Sequence, residues 1–168
     1  MADQFPFPDS ATNMRLVGMA AVVEAQRQGL VSVEAEHILL ALAADAHSPA
    51  GQFLVQHGLD HGALLAALRT ERERSLGVVG VAPRDPATLA ATRIGRPRFG
   101  ASARNAFDRA QKFTARARRG WHRMNAFDLL GGVFELEIGT VPRALAYAGI
   151  DREALLAEIA ERAAPDSG

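Results

Sequence analysis

The nonapeptide GLDHGALLA at residues 58–66 returns as GIDREALLA at residues 149–157, with six of nine positions identical. The same offset of 91 residues aligns Leu39 with Leu130. Each nonapeptide joins a glycine that can end a helix to an aspartate that can cap the next one, with apolar residues following. An internal repeat of this kind predicts two copies of one helical unit packed together.

Four helices are predicted in the first copy. Apolar residues at helical spacing indicate a helix over residues 13–28, and a second helix begins near Glu34. Ser48 followed by Pro49 is typical of a capping residue with a first-turn proline, and it predicts a third helix. Asp60 is the expected cap of the fourth.

The second copy predicts the same order of elements, with helices over residues 102–118, 127–136 and 140–148 and a last helix capped by Asp151. Gly131 and Gly132 interrupt one of these helices, and each glycine lowers helix propensity by about 1 kcal/mol. Because paired glycines also admit a close backbone approach, we expect a tight packing site there.

The domain organisation follows from these elements. No strand alternation of useful length occurs, so the expected fold class is all-α, with two four-helix repeats in a pseudo-twofold arrangement within a single compact domain. The expected boundaries are an N-terminal arm at residues 1–8, the first repeat at 9–76, a Pro- and Gly-rich linker at 77–98, the second repeat at 99–163 and a tail at 164–168.

Several motifs resemble those of the N-terminal domain of Clp-family protein unfoldases. Residues 36–42, EHILLAL, resemble the Glu-His-hydrophobic-Leu-Leu box that opens the second helix of a Clp repeat. Residues 58–60 resemble the turn before its fourth helix, and Phe99 with alanines at 103, 106 and 110 is similar to the start of its second repeat. The resemblance covers roughly residues 5–163, nearly the whole chain.

The resemblance implies a binding function. Such domains precede AAA+ ATPase rings and bind protein substrates, adaptors and, in actinobacterial ClpC, certain cyclic-peptide antibiotics. This sequence contains no Gly-x-x-x-x-Gly-Lys-Ser/Thr phosphate loop. We therefore expect a stand-alone ClpC-like N-domain, or a part of a longer unfoldase, that acts without a cofactor. Its expected partners are a polypeptide or cyclic peptide and Clp ATPase or protease components.

A peptide-binding groove is implied where the first helices of the two repeats meet. The family's groove uses a phenylalanine at the start of each repeat's first helix, with nearby basic and polar side chains. The same phenylalanines could instead pack into the core, and this alternative stays open. The candidate groove residues are Phe5, Phe7, Met14, Phe99 and Arg104.

Glu36 is the second candidate site. Some ClpC N-domains recognise phosphoarginine through a glutamate in each box, and Glu36 matches the first of these. Phe127 and Asp128 replace the Glu-His pair in the second repeat, so the resemblance implies at most one such site. The structural alternative is a carboxylate favoured by a helix N-terminus beside a histidine, His37, that makes a structural hydrogen bond.

Charge is distributed unevenly along a chain whose formal net charge is zero. Residues 93–123 carry ten Arg or Lys against the single acid Asp108, while we expect the charged run 69–74 to be an exposed helix end. Arg109, Lys112, Arg116 and Arg119 fall on one side of a predicted helix. This basic face could dock acidic protein segments or Clp components. Binding of nucleic acid, with Trp121 stacking on a base, is a third hypothesis, disfavoured by the overall charge.

Other function classes find little support. The chain has no cysteine, which excludes a thiol nucleophile and thiolate metal sites. His57 and His61 have the spacing of two zinc ligands, but Gly58 and Asp60 lie between them and predict a helix break, so no metal site is expected. No nucleophile elbow is present, and the N-terminus has no signal-peptide pattern. We expect a cytoplasmic, non-enzymatic protein that does not enter membranes.

Overall fold

A computed structural model describes residues 10–82, 95–117 and 123–163. The predicted all-α class is confirmed, because eight helices make up most of this described part of the chain. They are α1 (Ser10–Arg27), α2 (Ala35–Ala44), α3 (Pro49–Gln56), α4 (His61–Val78), α5 (Ala101–Ala117), α6 (Ala126–Phe134), α7 (Thr140–Tyr147) and α8 (Arg152–Ala163).

The predicted helix starts coincide with side-chain caps. Ser48, Asp60 and Asp151 each accept a hydrogen bond from the backbone N–H three residues further on, at 3.0, 2.8 and 3.0 Å. Gly58 and Gly149, which follow α3 and α7, have φ of 70° and 72°, the left-handed conformation that glycine adopts at little cost. Local chemistry therefore sets the same boundaries in both repeats.

The second helix of each repeat lies at the centre. Nearly all residues of α2 and α6 are buried, and the two helices contact each other. Across the repeats α3 packs on α6 and α7 packs on α2. This exchange of matching partners is the pattern expected of the pseudo-twofold arrangement.

The paired glycines of α6 form the predicted packing site. A Cβ on Gly131 would lie 2.8 Å from the ring of Phe113, and a Cβ on Gly132 would lie 2.6 Å from the backbone nitrogen of Ala110. Both neighbours belong to α5. The absence of side chains at these positions lets α5 approach α6 closely, and the gain in packing offsets the poor helix propensity of glycine.

A short parallel pairing joins the two repeats, which the sequence pattern did not predict. The strands β1 (Ser32–Val33) and β2 (Arg98–Phe99) contain two residues each. The N–H of Arg98 donates to the carbonyl of Val31 at 3.1 Å, and the next rung connects Gly100 to Val33 at 2.8 Å. Strands this short leave no alternation to detect, so the fold class is unaffected.

The expected linker at 77–98 begins inside α4 and ends in β2, and its residues 83–94 lie outside the described part, as do the arm and the tail. Among the described helices, no single one is long and apolar enough to cross a bilayer. The α2 and α3 helices pass that test only as a pair, across a bend of 93°.

Candidate binding surfaces

The N-termini of α2 and α6 are equivalent positions of the two repeats. The backbone N–H of Glu34 donates to Nδ1 of His37 at 2.8 Å. At the matching position, the N–H of Asn125 donates to Oδ2 of Asp128 at 2.9 Å. His37 is fully buried, and that burial lowers its pKa. The structure therefore gives His37 the structural hydrogen bond that was the alternative to a ligand role, and Asp128 keeps this bond in the second repeat.

The carboxylate of Glu34 connects the two repeats. It accepts from the backbone N–H of Ser102 at 3.1 Å and from its hydroxyl at 2.5 Å. The Ser102 hydroxyl in turn accepts from the N–H of Ala35 at 2.9 Å. Each helix start thus receives a cap from the other repeat. Burial acts to raise the pKa of Glu34, but hydrogen bonds from Ser102 and Ser32 outweigh it and hold the pKa below its ordinary value.

A set of three charged residues, which we call the acidic corner, surrounds the start of α2: Glu36, Glu71 and Arg143. Glu71 is only 4% exposed, and its carboxylate accepts from Nε of Arg143 at 2.7 Å. The expectation that the whole run 69–74 is exposed is therefore wrong for Glu71, because α4 turns this residue against α7. Burial, together with the carboxylates of Glu34 and Glu71, raises the pKa of Glu36.

The equivalent place at the start of α6 is an aromatic corner formed by Phe53, Phe127 and Arg162. The offset of 91 residues puts Phe127 at the position of Glu36, and Arg162 at that of Glu71. The two rings meet edge to face with centroids 5.6 Å apart, and the Arg162 guanidinium lies 4.9 Å from the Phe53 centroid. A cavity of about 400 Å³ opens beside them. The replacement by Phe127 is visible in the sequence, whereas Arg162 was not predicted, and only the repeat offset could have indicated it.

The described candidate groove residues lie near the start of α5 and on α1. The Phe99 ring meets Phe107 edge to face with centroids 5.8 Å apart, and a Cβ added to Gly18 of α1 would lie 3.8 Å from it. Met14 is half-buried one helical turn before Gly18. Arg104 is exposed, and its Nε donates to the carbonyl of Gly100 at 3.3 Å. Phe5 and Phe7 lie outside the described residues.

An exposed row of apolar side chains runs along α1. Leu16, Met19 and Val23 are 54%, 60% and 42% exposed, and their spacing of three and four residues puts them on one face of the helix. We call these three residues the α1 row. The inward face of α1 is made by Val17, Ala21 and Ala25.

The predicted basic face lies on α5 and is partly neutralised. Lys112 and Arg116 are exposed, and Arg116 is paired with Glu135. Arg109 is half-buried, and its Nε has no hydrogen-bond partner in the part of the chain that the structure describes. Arg119 lies outside that part.

The histidines with zinc-like spacing have separate carboxylate neighbours. Nε2 of His57 lies 3.1 Å from Glu158, and Nε2 of His61 lies 3.0 Å from Glu24. No group of three or more potential ligands within residues 10–82, 95–117 and 123–163 could hold a metal ion.

Comparison with known proteins shows the fold. No family model matches the sequence, and no curated protein matches it significantly. Among solved structures, the chain is similar to the N-terminal domain of the caseinolytic protease associated chaperone ClpD from Arabidopsis thaliana. The match covers 93% of each chain with a TM-score of 0.61 and 21% sequence identity. The predicted Clp N-domain fold is therefore confirmed.

Proposed function

We propose that this chain is a polypeptide-binding module, without enzymatic activity, whose binding surface is the α1 row together with Phe99. The observation that carries the proposal is the exposure of Leu16, Met19 and Val23 on a helix whose opposite side is fully packed. A single exposed apolar side chain is ordinary on a protein surface. A contiguous row, bordered by exposed Arg15 and Gln26, is typical of an interaction surface.

On this surface Phe99 supplies an apolar contact for the polypeptide, and Arg104 supplies hydrogen-bond donors that orient it. The half-exposed ring of Phe99 supplies apolar area at low entropic cost, because packing on Phe107 already holds it in place. Arg104 follows on the first turn of α5 and can donate to a backbone carbonyl or a carboxylate of the ligand. Met14 is half-buried on the Gly18 side of α1, and with Phe5 and Phe7 it remains an expected member of the part of the surface around Phe99.

The fold supports a binding role in a chaperone or protease context. The similar solved domain belongs to a chaperone associated with the caseinolytic protease. In its more specific form, the proposal is that the chain acts in the cytoplasm and sequesters Clp-targeting cyclic peptides. Glu36 remains a proposed partner or phosphoarginine site, although a guanidinium arriving there competes with the chain's own Arg143.

The basic face supports a second candidate function, an adaptor that docks Clp components or substrates. Lys112 favours it, because this side chain is exposed to solvent on the basic face. The pairing of Arg116 with Glu135 weakens it, because it removes one of the free cations. The same neutralisation counts against the nucleic-acid hypothesis, which needs several free cations facing phosphates.

Fluorescence anisotropy with labelled casein, an unfolded polypeptide, tests the proposed surface. We expect the double variant Leu16→Gln/Met19→Gln to bind casein about tenfold more weakly, because it removes apolar contact area from an exposed face. The matched control is Ile138→Gln, which removes an 87% exposed apolar side chain from another part of the surface. Equal binding by wild type and double variant would exclude the α1 row as the polypeptide site.

Two further titrations separate the finer alternatives. The sequestering role predicts submicromolar binding of a Clp-directed cyclic peptide such as cyclomarin in isothermal titration calorimetry, lost in Phe99→Ala while circular dichroism stays helical. The adaptor role predicts co-purification with Clp components that weakens with salt. Steeply salt-dependent binding of DNA or RNA would support the third hypothesis instead.

A further inference from the structure

The cavity of the aromatic corner is separate from the α1 row. It lies between α3, the first turn of α6 and the end of α8, and it measures about 400 Å³. That volume is within the range of pockets that hold a small ligand or a single large side chain. None of the residues proposed above for polypeptide binding lines it.

One side of the cavity is apolar and aromatic. Phe127 is half-buried, and its ring is held by edge-to-face contact with Phe53. Pro49 and Ala126 continue this side. Such a wall favours an apolar group, above all an aromatic ring, which can stack on or meet Phe127 edge to face. In the first repeat the matching position holds Glu36, so this wall is a property of the second repeat alone.

The other side carries a guanidinium with unused donors. Arg162 stacks over Phe53 and donates to Gln56 at 3.2 Å and to Glu158 at 2.6 Å. A guanidinium has five N–H donors in a fixed plane, and the other three have no acceptor among the described residues. The carboxylate of Glu158 also lies 3.1 Å from Nε2 of His57. The cavity rim thus offers a positioned cation beside an aromatic wall.

We propose that this cavity binds the C-terminal aromatic residue of a polypeptide, with its ring against Phe127 and its terminal carboxylate on Arg162. A chain terminus of this kind carries both groups, the ring and the carboxylate, on one residue. An internal acidic residue would leave the aromatic wall uncovered, and an internal aromatic residue would leave the remaining donors of Arg162 without an acceptor. The inference rests on the proposed function only in taking a polypeptide as ligand, because it uses a different surface.

Nuclear magnetic resonance titration of the full chain tests this site with a matched pair of peptides. The probe is the pentapeptide Gly-Ser-Gly-Ser-Phe with a free C-terminal carboxylate, and its control is the same peptide as a C-terminal amide. We expect the acid to bind about tenfold more tightly than the amide, the usual size of a charge-assisted hydrogen bond. The largest shifts should fall on Phe127 and Arg162.

Arg162→Gln should remove the difference between acid and amide, since the exposed side chain can be replaced without opening the core. Arg72→Gln, an exposed position of α4, should leave the difference unchanged. Equal affinities for acid and amide, no binding of either, or shifts confined to the α1 row would each overturn the proposal. Casein binding that is sensitive to Leu16 and Met19 would then still support the α1 surface, so the two failures are distinguishable.

Discussion

The first helices of the two repeats, α1 and α5, have the same inward pattern and opposite outward chemistry. Buried positions recur at the same spacing in Val17, Ala21 and Ala25 of α1 and in Ala106, Ala110 and Thr114 of α5. When these positions are superposed, the outward Leu16, Met19 and Val23 of α1 match the exposed Asn105, Asp108 and Lys112 of α5. The α5 helix holds the equivalent position in the second repeat with a polar outward face. The fold therefore does not require the outward face of α1 to be apolar. We infer that this exterior is retained for binding.

The packing of α5 against α6 leaves no room at Gly132, whereas α1 has space around Gly18. Alanine substitutions at these two glycines should therefore show the largest difference in stability. A methyl group on Gly132 would lie 2.6 Å from the backbone nitrogen of α5 residue Ala110. We expect Gly132→Ala to destabilise the protein by about 2 kcal/mol, because overpacking against backbone exceeds the gain in helix propensity. The measurement is the urea dependence of the circular dichroism signal.

Gly18→Ala of α1 is the control for this substitution. Its Cβ would meet only the Phe99 ring at 3.8 Å, an ordinary contact distance. It should leave stability unchanged or raise it by up to about 1 kcal/mol. If the two variants had equal stability, the close approach of α5 to α6 would be disproved.

The start of α5 is tied to the first repeat through Ser102, and removing its hydroxyl should have the next largest effect. Ser102→Ala deletes one hydrogen bond to Glu34 and the acceptor for the N–H of Ala35. We expect a loss of about 1–2 kcal/mol in the free energy of unfolding. Asn105→Ala, an exposed position of the same helix, should change it by less than about 0.5 kcal/mol. A Ser102 variant as stable as the Asn105 variant would contradict the cross-repeat cap.

The same contact should give the protein a pH-dependent component of stability. The pKa of Glu34 is lower in the folded protein than its ordinary value of 4.5, so its ionised form stabilises the fold. That contribution is complete above about pH 4.5 and is lost as the pH falls through the folded pKa. The gap in urea midpoint between wild type and Glu34→Gln should therefore shrink from about pH 6 to about pH 3. A gap that stays constant would show that Glu34 acts without its charge.

The smallest effect is expected for Arg116 on the outward face of α5. Its ion pair with Glu135 is exposed on the arginine side, and such pairs contribute less than about 1 kcal/mol. Arg116→Ala should therefore leave stability nearly unchanged, and it should also leave casein affinity unchanged. A marked loss of casein binding in this variant would move the binding surface from α1 to α5.

Features that depend on neighbouring residues were predictable from the sequence. The caps at Ser48, Asp60 and Asp151 and the helix-ending glycines act within a few residues, so their chemistry is visible in the local pattern. The repeat offset of 91 residues then gave the element order of both halves and, through the resemblance, the fold.

Features that depend on tertiary contacts were not predictable in this way. Glu71 looked like part of an exposed charged run, but it is buried on Arg143, which is 72 positions away in the chain. The α1 helix is apolar on several sides, and only its packing on α2 decides which side faces outward. Arg162 reaches Phe53 and Gln56 from more than a hundred residues away, and no local pattern marks that contact.

The most direct test of the central claim is methyl nuclear magnetic resonance of the full chain labelled at its four methionines. Met19 belongs to the α1 row, Met14 packs against the core on the side of α1 that carries Val17, and Met124 belongs to the second repeat. On addition of unlabelled casein, we expect the Met19 methyl signal to shift or broaden most, and the Met124 signal to remain unchanged. A response of Met124 with an unaffected Met19 would contradict the assignment of polypeptide binding to α1.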